Sequence, residues 1–173
     1  MMLKILGCAL ILLAGGGAGM TMAGHYARRP RDLRSLQAAL KMLETEITYT
    51  ATPLPEALGR VAERAGPRVA LLFNRAREEL LSPSGRTARE AWESALKAFY
   101  PTSALVPSDL AVLRQLGPAL GISSVQDQSK HLHLAMEQLG VEMVRAEEEA
   151  SRYVRLWNYL GFLGGLALVL MLY

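Results

Sequence analysis

The sequence predicts an all-α protein, a small antiparallel bundle of about six helices flanked by an N-terminal and a C-terminal transmembrane helix. Three observations lead there. Between the ends, apolar residues recur at alternating spacings of three and four, the period of one helix face. No segment alternates apolar and polar residues for more than a few positions, so nothing reads as a strand. The two ends of the 173-residue chain are nearly uncharged: residues 1–24 carry Lys4 alone and residues 156–173 carry no charge.

The first end, LKILGCALILLAGGGAGMTMAG (3–24), is long enough to cross a bilayer as a helix. A cleaved signal peptide is the competing reading, because the run is N-terminal and small residues lie near its end. Charge decides between them. Only Lys4 precedes the apolar core, whereas Arg28, Arg29, Arg31 and Arg34 follow it, with Asp32 as the one acid among them. Arginines placed there resist translocation and stay cytoplasmic, so the run reads as a retained anchor. Cys8 is the single cysteine and lies inside it, which excludes a disulfide framework and a Cys-type metal site. ILGC looks like the end of a lipoprotein signal, but no apolar run precedes it, so lipidation is rejected.

The middle is helical almost throughout. Leu33, Leu36, Leu40, Leu43 and Ile47 form the apolar stripe of a first helix. TATPLP ends it and starts a second, with Thr52 as the expected cap, Pro53 in the first turn and Glu56 at the positive helix start. Leu54, Leu58, Val61 and Ala65 line its inner face. Gly66 and Pro67 break it, and a third helix carries Val69, Leu72, Phe73, Ala76 and Leu80. SPSG (82–85) is a turn, followed by a helix with Trp92, Ala95 or Leu96, and Phe99 inward. YPTSALVP is a loop. Ser108 and Asp109 open a fifth helix with Leu110, Leu113 and Leu116 inward, which stops at the LGPALG glycines. Ser124 and Asp127 resemble a capping box with the shorter acid, and they start a long last helix. Leu132, Met136, Leu139, Met143, Ala146, Ala150 and Tyr153 form its stripe. No proline or glycine interrupts it from Val141 to Leu156.

The second end, LWNYLGFLGGLALVLMLY (156–173), reads as a span continuous with that helix. Trp157 and Tyr159 stand at its start and Tyr173 at its end, where amphipathic rings favour headgroup zones. Arg152 and Arg155 precede it. Both arginine flanks place residues 25–155 in the cytoplasm as a helical bundle, between spans at 1–24 and 156–173. Gly15 with Gly19, and Gly161 with Gly165, give small-xxx-small spacings that suit close helix approach.

Charge excludes further classes. All 16 acidic and 18 of the 19 basic residues lie in 25–155, a net charge of about +2, so the domain is nearly balanced. No aromatics interleave with the arginines, and nucleic acid is not a partner. His131 and His133, two apart on a helix, cannot readily share a metal. GGGAG lies inside an apolar run and is no phosphate loop. No nucleophile has a base beside it. The chain therefore reads as non-enzymatic, with no catalytic residue, cofactor, metal or small-molecule substrate. Glu147, Glu148 and Glu149 read as a wet helix face, and so do Glu44 and Glu46 in LETEI. Glu56 on the polar side of TPLPEAL, with Glu147, Glu148 and Glu149, forms the candidate partner-binding surface.

RPRDLRSLQAALKMLETEITYTATPLPEAL (29–58), LGPALGISSVQDQSKHLHLAMEQL (116–139) and RYVRLWNYLGFLGGLALVLML (152–172) together resemble the stage III sporulation protein AB family, in the same order over nearly the whole chain. Residues 66–100 match more loosely. Ser124 stands where the family favours an acid, a role that Asp127 takes over in part. The resemblance implies a component of the complex joining mother cell and forespore in endospore formers, in the mother-cell membrane around the forespore. The family's soluble domain is similar to the helical platform proteins of type II secretion and type IV pilus machines. By that analogy the domain docks the sporulation stage III AA-type ATPase, and the spans contact the other stage III A membrane subunits. The runner-up is a platform subunit of an ordinary secretion or pilus apparatus. Such proteins usually carry a duplicated helical domain, and no internal repeat is present here.

Overall fold

The computed structural model describes residues 27–121 and 124–172; beyond Tyr153 the described side chains are those of Leu156, Tyr159 and Leu163. The described residues form six α-helices and no strand: α1 Arg28–Thr48, α2 Leu54–Arg64, α3 Pro67–Leu81, α4 Ala88–Phe99, α5 Pro107–Leu116 and α6 Val125–Leu172. Two short 3-10 turns, Tyr100–Thr102 and Gly117–Ala119, flank α5. The chain divides into two units, Arg31–Val144 and the two ends, Met1–Pro30 with Arg145–Tyr173.

The larger unit holds the core. Leu33, Leu36, Leu40, Leu43 and Ile47 of α1 are all buried, as their spacing predicts. In α3 and α4, Val69, Leu72, Phe73, Ala76, Trp92, Ala95, Leu96 and Phe99 are buried too. Phe73 and Trp92 meet edge to face, with ring centroids 5.8 Å apart, an arrangement favoured by the ring quadrupoles. The Trp92 indole N–H donates to the Leu113 carbonyl at 2.7 Å, tying α4 to α5 inside the core. Helices α2 and α3 pack together, α3 packs on α4, and α4 on α5 and both 3-10 turns. Gln37 of α1 donates from Nε2 to the Met136 carbonyl of α6 at 2.8 Å.

The helix starts use three devices. Thr87 and Glu90 make a full capping box: the Thr87 hydroxyl accepts from the Glu90 N–H, and the Glu90 carboxylate accepts from the Thr87 N–H at 2.9 Å. That backbone N–H, followed by the Thr87 hydroxyl, holds the Glu90 carboxyl below its usual value. At α5 the helix begins at Pro107, one residue before the expected Ser108, and the fully buried Asp109 accepts from the Val106 N–H at 3.0 Å. At α6 the Ser124 hydroxyl accepts from the Asp127 N–H at 3.2 Å and donates to the Asp127 carboxylate at 3.1 Å, so the short acid does share the cap.

Two local expectations are corrected. Thr52 does not cap α2; the helix begins at Leu54 after Pro53, with no side-chain cap. The Thr52 hydroxyl points back and donates to the Glu46 carboxylate at 3.2 Å. The inner face of α2 is also rotated: Leu58 and Val61 are buried with Ala57, Gly59 and Ala62, while Leu54 and Ala65 are half-buried. Leu54 is the first residue of the helix and Ala65 its C-cap, so both stand at its ends.

Helix α6 continues through the second apolar run to Leu172. Among the described residues no helix is long and apolar enough to cross a membrane. The run at 1–24 lies outside the described residues, as do most side chains of 156–173. The expected spans and the domain limits drawn from them are therefore not established by the described residues.

Candidate functional site

The arginine run opens α1. Arg28, Arg31 and Arg34 are exposed, while Pro30 and Asp32 between them are buried. Arg29 is nearly covered, its side chain 12% exposed, and Nη1 pairs with the Glu149 carboxylate at 3.2 Å. The structure thus joins two features that the sequence read separately: the basic collar and the acidic run. Glu147 and Glu148 are exposed on α6 and so is Arg152; the Arg155 side chain lies outside the described residues. Arg145, Glu148, Glu149, Arg152 and Tyr153 line an open surface groove of about 470 Å³. Glu56 is exposed in the first turn of α2.

Glu44 and Glu46 are not on a wet helix face. Both are buried, and each carboxylate accepts hydrogen bonds from neighbouring side chains. Glu46 accepts from Arg60 Nη1 at 2.9 Å and from the hydroxyls of Thr50 and Thr52, with Arg64 at 3.6 Å. The Arg60 hydrogen bond is the main reason its carboxyl lies below the ordinary value. Glu44 accepts from Lys41 Nζ at 2.7 Å and from Ser129 Oγ at 2.9 Å, which links α1 to the start of α6. Burial alone would raise the Glu44 carboxyl, but the Lys41 and Ser129 hydrogen bonds outweigh it and the net shift is downward.

Two more buried acids escaped the sequence. Asp32, inside the arginine run, accepts from the Ala104 N–H at 3.1 Å and pairs with Arg68 Nη2 at 3.1 Å. Glu79 gathers Arg75, Arg86 and Ser94 from α3, the following turn and α4. These four carboxylates are cross-links between helices. Among the described residues every buried side-chain nitrogen and oxygen has a partner. His131 and His133 are both exposed, and His133 Nε2 faces Glu137 at 3.4 Å. No group of three His, Cys, Asp or Glu residues among the described residues could hold a metal.

What the described surface offers is therefore charge at defined places. The signals for the missed residues were present: Thr87-Ala-Arg-Glu90 is a capping-box spelling, and Asp32 lies four residues before Leu36, on the buried stripe of α1.

Known proteins agree on what this architecture is. Residues 4–173 match the family model for stage III sporulation protein AB. The chain is 39% identical over 171 residues to stage III sporulation protein AB of Bacillus subtilis (strain 168), covering 99% of either protein. A solved structure of stage III sporulation protein AB is similar with a TM-score of 0.66 and 37% identity, over 72% of this chain and 97% of that one. At that identity and coverage sequence and fold speak together: the chain belongs to the stage III sporulation protein AB family, and its role is in sporulation.

Proposed function

We propose that the chain is a non-enzymatic membrane scaffold of the mother cell–forespore complex. Its apolar ends anchor it in the mother-cell membrane, and its helical domain, residues 25–155, faces the cytoplasm and docks a secretion-type ATPase of the stage III AA kind. The other stage III A membrane subunits meet the spans. The observation that carries this reading is the extent of the family match, 4–173, which takes in both apolar ends together with the helical domain. Leu156, Tyr159 and Leu163 support it. They stand at i, i+3 and i+7 on α6 with roughly half or more of their surface exposed, a pattern suited to lipid contact. Buried carboxylates that cross-link helices fit a part that transmits force or position.

Two measurements test the reading. Reporter fusions within 25–155 should score as cytoplasmic, and an exported reporter there would overturn the topology. Full-length protein should retain the cognate ATPase through purification. Glu56→Lys or Glu148→Lys should weaken that capture; loss of capture in neither variant would remove these surfaces from the docking site.

A further inference from the structure

Leu71, Asn74, Glu78 and Leu81 follow one another along α3 at spacings of three, four and three, and all four are exposed. That spacing puts them on one helix face. Leu71 and Leu81, with 55% and 61% of their surface exposed, stand at its two ends. Asn74, Arg77, Glu78, Leu81 and Ser82 line an open groove of about 350 Å³ on the same helix. Arg77 is seated there by a glycine of α2. Gly59 is buried, and a Cβ built on it would lie 3.3 Å from the Arg77 Cδ and Nε. The missing side chain lets the arginine stem lie against the α2 backbone. The acids nearby leave Arg77 uncompensated. Glu78, next to it in sequence, pairs with Arg75 at 3.5 Å, and Glu79 takes Arg75 and Arg86. Glu63, one turn on from Gly59 in α2, is exposed and makes no ion pair with Arg77. Arg77 itself is exposed and pairs with no carboxylate among the described residues.

Apolar residues at such spacing are covered by the matching stripe of a second helix laid alongside. A guanidinium meets a carboxylate with two parallel N–H bonds. Because the Arg77 stem is already held on α2, less side-chain freedom is lost when it pairs. We propose that this face of α3 docks an acidic amphipathic helix of a partner protein. The apolar stripe of that helix covers Leu71 and Leu81, and one of its carboxylates pairs with Arg77. The face belongs wholly to the unit Arg31–Val144, so the site is independent of the proposed membrane anchoring. Its charge preference is also opposite to that of Glu56 and Glu148, which suit a basic partner.

The test uses the full-length protein in phosphatidylcholine nanodiscs, with binding read by fluorescence anisotropy. The probe is a labelled helical peptide repeating the heptad Leu-Glu-Ala-Leu-Glu-Lys-Ala. Its counterpart exchanges glutamate and lysine, and empty nanodiscs give the baseline. The acidic peptide should bind above that baseline and the basic one should not. Arg77→Gln should weaken binding about fivefold, the upper range for a part-exposed ion pair, and Arg77→Lys should restore part of the loss. Leu71→Ser with Leu81→Ser should weaken it about tenfold, as truncation of interface anchors does. Gly59→Ala keeps the charge but displaces the stem, so its affinity should fall between the parent and Arg77→Gln. Arg114→Gln, which removes an exposed arginine of α5, should change nothing. Circular dichroism should show every variant equally helical. No binding of the acidic peptide, equal binding of the basic one, or unchanged affinity in Arg77→Gln would overturn the site. Parent-like affinity in Gly59→Ala would overturn the seating of Arg77 by that glycine. Native mass spectrometry separates the other occupant, a second copy of the chain. A dimeric parent that becomes monomeric in the double serine variant would overturn the partner helix.

Discussion

The Asp32 carboxylate accepts a hydrogen bond from the Ala104 backbone N–H at 3.1 Å, across 72 positions of chain. The same carboxylate pairs with Arg68, so one buried acid ties α1 to α3 and to the loop before α5. Asp32→Ala leaves a part-buried N–H and a half-exposed guanidinium without their acceptor. It should cost about 1–3 kcal/mol of stability, the penalty for orphaning buried partners. Asp32→Asn keeps an acceptor and should cost less. Urea unfolding of the full chain in detergent checks both, and equal stability of Asp32→Ala and the parent would show that the latch contributes nothing.

Trp92 tests the core. Trp92→Phe keeps a ring against Phe73 but removes the donor to the Leu113 carbonyl and leaves a void. Trp92→Ala removes both contacts and should cost about 3–5 kcal/mol. The phenylalanine variant should fall between that and the parent in thermal unfolding.

Glu44 and Glu46 predict the pH response. Both carboxyls lie below their ordinary value of 4.5 in the folded chain. Groups depressed on folding contribute stability that is present in full above the unfolded value and is lost as pH falls through the folded one. Melting temperature should therefore fall as pH is lowered from about 4.5, and Glu46→Gln should flatten that fall. A parent protein whose melting temperature holds steady down to pH 3 would contradict the assignment.

Gly121 and Gly66 form a matched pair. Gly121 has φ +79°, and a Cβ built there would lie 3.0 Å from the Ala88 Cβ and 3.3 Å from the Leu54 Cδ2. Gly121→Ala should cost about 1–3 kcal/mol, the scale of a strained left-handed residue. Gly66→Ala meets no atom within 4 Å and should be near neutral. The difference between the two melting temperatures is the readout.

Thr87→Ala removes half of the α4 capping box and should cost about 1 kcal/mol. Helicity and denaturant midpoint of the variant measure it, with Thr87→Ser expected to restore most of the loss.

How far the sequence carried depends on which residue is asked. The stripes of α1, α3 and α4 were legible because an apolar residue at the wrong phase would face water, and Leu33 through Ile47 obey that constraint. The same stripes also held the missed acids. Asp32 is four residues before Leu36, Glu44 is four after Leu40, and Glu79 is three after Ala76, all at positions that face inward. Their charge suggested solvent, and the sequence could not reveal the arginines, hydroxyls and N–H groups that three-dimensional packing would bring to them. Thr52 misled for a different reason: a hydroxyl before a helix usually caps it, but here Pro53 holds the N-cap position and the Thr52 hydroxyl lies one residue too early, donating to Glu46 instead. The arginines beside the two apolar ends were read from order along the chain alone, which says nothing about pairing. Only the fold could place Glu149 on Arg29.

The Glu46 hub also sets an order of events. Its bond to Arg60 closes only 14 positions of chain, against 72 for Asp32 with Ala104 and 99 for Gln37 with Met136. Closing the 72-position loop costs about 1.4 kcal/mol more in chain entropy than closing the 14-position one. The α1–α2 corner should therefore assemble early in folding, and the Asp32 latch should close late. Stopped-flow kinetics would then show Arg60→Gln slowing folding, while Asp32→Asn mainly speeds unfolding.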